Sequence, residues 1–128
     1  MMPDGGHPGF FESFGYALQG IGAAIRRERN FKVMLAMGAA AVVAGFALRL
    51  DAMSWVAVVL MIGLVLCAEL LNTALESVVD LASPDIHPLA KYAKDLAAGA
   101  VLALSACVGV AGRVSYVRAA LLLFGGGA

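Results

Sequence analysis

Charge is what this sequence has least of. Only 14% of its 128 residues are charged, against 62% hydrophobic, and a chain this short cannot hide so much apolar surface in a soluble core. That scarcity excludes an ordinary soluble domain and leaves lipid as the solvent. Net charge is zero, so no basic excess points to a nucleic-acid partner. Cysteine is scarce too. Cys67 and Cys107 both fall in long apolar runs, far in sequence from any metal-type cluster, and read as free thiols acting as small apolar residues. No cleavable signal peptide is expected, because Met1 to Gly9 is polar and rich in Gly and Pro and the first long apolar run starts at Phe31. No internal repeat is visible, and the chain reads as one domain.

What is present is three long apolar runs. A membrane-crossing helix needs roughly 20 apolar residues, because the hydrocarbon core is about 30 Å thick and each residue rises about 1.5 Å. The runs place transmembrane helices at 31–50, 53–80 and 94–112. They are helices because an isolated strand leaves its backbone polar groups unsatisfied in lipid. Ahead of them, a disordered start (1–9) precedes an expected helix over 10–29. There Phe10, Phe14, Ala17, Leu18, Ile21 and Ile25 recur at helical spacing beside polar positions, as in a helix lying on the membrane surface. The fold class is therefore an all-α membrane protein, a surface helix plus three transmembrane helices, followed by a tail (113–128) of open structure. With the N-terminus cytoplasmic, that side holds Arg26, Arg27, Arg29, Lys32, Lys91 and Lys94, and the other holds Arg49, Arg113 and Arg118. The excess favours this orientation.

The chemistry concentrates in Glu69-Leu-Leu-Asn-Thr-Ala-Leu-Glu76-Ser-Val-Val-Asp80. At about 100° per residue, with Glu69 at zero, Asn72 falls near about −60°, Glu76 near about −20°, Asp80 near about +20° and Thr73 near about +40°. Every strongly polar group shares one face. About 20 residues inward from Met53 reaches Thr73, so Glu69 lies about one turn inside the membrane, at the depth of a lipid hydroxyl. A carboxylate there is costly and functional by default. Lys94 and Asp95 open the third span at the same membrane face, and Glu28 precedes the first. Clustered carboxylates beside a nucleotide suit Mg²⁺. A lysine can neutralise a moving phosphoryl group and a carboxylate can take the proton of an attacking hydroxyl, so the parts fit phosphoryl transfer.

Four segments, Ser13-Phe-Gly-Tyr-Ala, Glu28-Arg-Asn-Phe, Ala68 to Asp80 and His87-Pro-Leu-Ala-Lys-Tyr-Ala-Lys-Asp-Leu-Ala-Ala-Gly-Ala100, carry a resemblance. The sequence resembles the small prokaryotic membrane kinases that comprise diacylglycerol kinase and undecaprenol kinase, over about residues 10 to 112. The resemblance implies an ATP-dependent lipid kinase of the prokaryotic cytoplasmic membrane, a homotrimer with active sites between subunits facing the cytoplasm. It implies that Glu69 is the general base on the lipid hydroxyl and that Glu28 and Glu76 hold the Mg²⁺ bridging the ATP phosphates. Lys94 would contact phosphate, Asp95 and Asp80 would organise the polar cluster, and Asn72 would orient Glu69 or the lipid. Tyr16 and the loop from Asp85 to His87 would lie by the nucleotide. The wording of the last segment looks more like the undecaprenol branch than the diacylglycerol branch. Neither a Gly-rich phosphate loop nor a soluble-kinase signature occurs. Two stretches depart from the family pattern: Gly9 and Glu12 stand where a basic residue is common, and the tail from Arg113 does not match. Outside this class, a small oligomeric proton-coupled transporter would need a carboxylate open to both sides. The ionisable groups here gather at one face, and Met53 to Ala68 is uncharged. An inactive assembly subunit would leave the cluster without a role. Trp55 and Tyr116 read as interfacial anchors.

Overall fold

A computed structural model describes residues 6, 7 and 9–125. Most of the expected disordered start and the last three residues of the tail lie outside the described residues. Four helices follow in order: α1 (Phe10–Arg27), α2 (Arg29–Ala47), α3 (Ala52–Ala82) and α4 (Pro88–Phe124). No strand occurs among the described residues. α2, α3 and α4 are each long and apolar enough to cross a membrane, so the protein is an all-α membrane protein. α3 packs on both α4 and α2, while α1 leans against α2.

The helix ends follow from local chemistry. The Glu12 carboxylate accepts from the Gly9 N–H at 3.4 Å, satisfying one free donor at the start of α1. Only Glu28, extended at φ −98° and ψ 112°, separates α1 from α2, and it caps both. α2 ends in a Schellman turn, with the Leu50 N–H donating to the Gly45 carbonyl and the Arg49 N–H to that of Phe46. The left-handed position, which favours glycine, is occupied by Arg49 at φ 54°. Asp51 then caps α3 by accepting from the Ser54 N–H at 2.8 Å. That hydrogen bond holds the Asp51 carboxyl below its ordinary value. At the other end of α3, the short link ends at His87, whose Nδ1 accepts from the Leu89 N–H at 3.0 Å. Pro88 fills the first turn of α4, where its missing N–H costs nothing.

α4 differs from the expected third span, which ran 94–112. It starts at Pro88 and continues to Phe124, so most of the tail is helical. Lys94, Arg113 and Arg118 mark changes of solvent and do not break a helix, because lysine and arginine are good helix formers. Tyr116 is also more than an interfacial anchor: its hydroxyl donates to the Ala41 carbonyl, tying α4 to α2. Trp55 packs tilted on Phe46 with ring centroids 4.7 Å apart. Gly45 permits this, since a Cβ there would lie 2.8 Å from the Trp55 ring and 3.0 Å from Leu50.

Side-chain burial within one chain is sparse. Ala24, Phe31, Leu50 and Val58 form the apolar core, while large side chains such as Met37, Val43, Leu71 and Leu102 are exposed. An apolar surface on every span is what lipid or neighbouring helices cover.

Candidate active site

α3 places its polar face toward the ends of α1 and α4. Glu69 is the one charged residue among the buried ones, 4% exposed, and its carboxylate makes no hydrogen bond among the described residues. It sits about 22 Å along α3 from Ser54, at about 1.5 Å per residue. Glu28 and Glu76 are the two charges close enough to act on it. Glu28 reaches this neighbourhood because it is the single extended residue between two helices, whereas Glu76 comes from two turns further along α3. Three carboxylates from α3 and the α1–α2 junction thus share one neighbourhood, and among the described residues no cation pairs with the innermost.

Asn72 links the set. Its Nδ2 donates to Glu76 Oε1 at 3.4 Å, and its Oδ1 is buried without a partner among the described residues. An unpaired buried acceptor is costly, and here it stands beside Glu76, where a hydroxyl or water donor would satisfy it. Asp80, one turn beyond Glu76, accepts from the Lys94 ammonium of α4 in an ion pair. Lys94 also feels Glu76. The sequence-expected face of Glu69, Asn72, Glu76 and Asp80 is therefore joined by Glu28 from one side and Lys94 from the other.

The remaining expected residues sit further out. Asp95 pairs with Lys91 at 2.6 Å, one turn apart on exposed α4. Asp85, His87, Lys91, Lys94, Asp95 and Asp80 line a cavity of about 280 Å³ between the end of α3 and the start of α4. From sequence Lys91 bears only on membrane orientation; its spacing of four from Asp95 is the signal that places it here. His87 has Nδ1 committed to its helix cap, leaving Nε2 for any ligand. Tyr16 is exposed on α1, and among the described residues no side-chain hydrogen bond or ion pair joins it to the cluster.

The donor set suits a hard divalent cation. Among the described residues no three metal-ligating side chains converge on one point, so a cation here would draw most of its ligands from water and phosphate. That division is characteristic of Mg²⁺, which keeps waters and is held by one or two carboxylates plus substrate phosphates.

The family model described as prokaryotic diacylglycerol kinase matches residues 15–116. An undecaprenol kinase of Bacillus subtilis is 46% identical over 101 residues, 77% of this chain and 82% of the relative. A diacylglycerol kinase of Synechocystis is 47% identical over 96 residues, covering 74% of this chain and 55% of that protein. A diacylglycerol kinase of Escherichia coli K12 is 36% identical over 88 residues, 69% of this chain and 72% of its own length.

Proposed function

Because the chain belongs to the prokaryotic diacylglycerol kinase family, we propose that this lipid kinase moves the γ-phosphate of ATP to the hydroxyl of undecaprenol, recycling a cell-wall carrier lipid. The observation that carries the reading is the buried, unpaired Glu69 carboxylate between Glu28 and Glu76. Glu69 takes the proton of the lipid hydroxyl as its oxygen attacks the γ-phosphorus, the bond to the bridging oxygen breaks, and ADP leaves. Glu28 and Glu76 would hold Mg²⁺. When bound, Mg²⁺ neutralises charge on the ATP phosphates. Asn72 keeps Glu76 in place through its Nδ2 and borders the lipid headgroup, its Oδ1 open to a water donor. Lys94 balances charge on the phosphoryl group, oriented by Asp80, while Asp95 holds Lys91. Tyr16, Asp85 and His87 border the nucleotide, Tyr16 from a neighbouring subunit of a homotrimer.

The protein is a prokaryotic membrane protein, and its place in this proposal is the cytoplasmic membrane, with the N-terminus and carboxylate cluster facing the cytoplasm where ATP is available. Diacylglycerol is the second reading, supported by the similarity to diacylglycerol kinases. An apolar pocket discriminates lipid tails weakly, so the two alcohols must be compared directly. The test is transfer of labelled γ-phosphate from Mg-ATP by the purified chain, offered both lipids in parallel mixed micelles. Faster phosphorylation of undecaprenol supports the proposal. Preference for diacylglycerol reverses the lipid assignment, and no transfer to either by folded protein refutes the kinase reading.

A further inference from the structure

The end of the bundle opposite Glu69 carries a second charged cavity. It measures about 240 Å³ and is lined by Arg49, Asp51, Ser54, Ser115, Arg118 and leucines including Leu122. Neither arginine forms an ion pair among the described residues. The Asp51 carboxylate faces the Ser54 N–H, so two guanidinium groups and one carboxylate leave a net positive charge around two serine hydroxyls. The turn sets Arg49 at φ 54°, where glycine is usual. Arg118 and Leu122 also line a neighbouring, largely apolar depression of about 630 Å³ with Arg113, Val114, Val117 and Leu121. Arg118 lies beyond the residues that match the family model.

We propose that this end binds the phosphate headgroup of an anionic lipid in the leaflet opposite the carboxylate cluster. Arginine is suited to phosphate by its planar fork of donors, and the serines can donate further hydrogen bonds to its oxygens. A soluble anion would need the cavity alone. The contiguous apolar depression, sharing Arg118 and Leu122, provides a path for acyl chains and selects the lipid-borne phosphate. The site is separate from phosphoryl transfer, being about 22 Å along α3 from Glu69 at about 1.5 Å per residue.

The single tryptophan of the chain provides the probe, because Trp55 adjoins Ser54 and its ring lies in the same α2–α3 corner as Leu50. The full chain is reconstituted in phosphatidylcholine vesicles containing brominated phosphatidylglycerol or brominated phosphatidylcholine, and quenching of Trp55 gives their relative association. Native protein is expected to prefer phosphatidylglycerol by about five-fold or more, the contribution of even one arginine beside an anionic headgroup. Arg49→Asn with Arg118→Gln should bring the ratio near unity, and Arg118→Lys should keep part of it. Asparagine tolerates the left-handed backbone at position 49. Arg118→Gln alone, at an exposed helical position, serves if the double variant loses helix content by circular dichroism, and it must lower the ratio. Equal quenching by the two lipids in native protein overturns the proposal, as does a preference that survives the folded variants. Abolition of the preference by inorganic phosphate, at an ionic strength where chloride leaves it intact, assigns the cavity to a soluble anion and also overturns it. No arm requires turnover, so failure here is distinguishable from failure of the kinase reading.

Discussion

Replacing Glu69 by glutamine separates the proposed catalytic role of its carboxylate from a structural one. The substitution keeps the shape of a 4% exposed side chain and removes both the charge and the ability to accept a proton. Loss of a positioned general base lowers turnover by about 10² to 10⁴, equivalent to about 3 to 5 kcal/mol of barrier. The fold should not suffer. No hydrogen bond is lost, because the carboxylate makes none among the described residues, and one of three mutually repelling acids is neutralised. Folding stability is therefore expected to hold or rise, as when a functional charge held at a cost is removed. Initial rates with labelled Mg-ATP and saturating lipid give kcat, a nucleotide series gives KM, and thermal unfolding in the same detergent gives Tm. The expected pattern is kcat reduced at least a hundredfold, KM for Mg-ATP within about twofold, and Tm unchanged or higher. Turnover within tenfold of native, or a loss confined to KM, would refute the assignment of Glu69 as base.

Glu76→Gln should instead raise KM for Mg-ATP by roughly tenfold or more, since one of two metal oxygens is weakened, and titration with Mg²⁺ at fixed ATP should show a matching rightward shift. Gly45→Ala places a Cβ 2.8 Å from the Trp55 ring, an overpacking expected to cost about 1–3 kcal/mol; an unchanged Tm would mean that the α2–α3 corner yields freely. Tyr116→Phe removes the hydroxyl that donates to Ala41 and should lower stability by about 0.6 kcal/mol, the usual size of an interhelical hydrogen bond in lipid, measurable by unfolding in mixed micelles. Asp51 has a depressed folded-state value, so its contribution is present above the ordinary carboxylate value of 3.8 and lost as pH falls through the folded value. Native Tm should accordingly drop faster than that of Asp51→Asn below about pH 4.

The spans were legible in the sequence because an apolar run long enough to cross lipid is seldom stable in any other solvent. Their ends were less so, since Lys94 and Arg113 mark where the solvent changes while backbone capping decides where a helix stops. That is why α4 begins at Pro88, behind a His87 cap, and runs through both arginines. The polar face of α3 was legible from angular spacing alone, because Glu69, Asn72, Glu76 and Asp80 belong to one helix. The link between Asp80 and Lys94 and that between Ala41 and Tyr116 join different helices, and no periodicity encodes them. Glu28 stands between these cases. Its place before an apolar run was visible, but its extended backbone depends on α1 and α2 meeting without a spacer.

That junction leaves no slack. A single residue ends one helix and begins the next, so α1 is geared to α2 like a crank on a shaft, with a carboxylate at the elbow. Inserting one residue within α1, between Tyr16 and Glu28, would turn the preceding part of that helix by about 100° relative to the junction, carrying Tyr16 around while Glu28 stays in place. On the proposed mechanism, the placing of Tyr16 against Glu28 is thus written in the length of α1, and a change that touches no polar group can erase it.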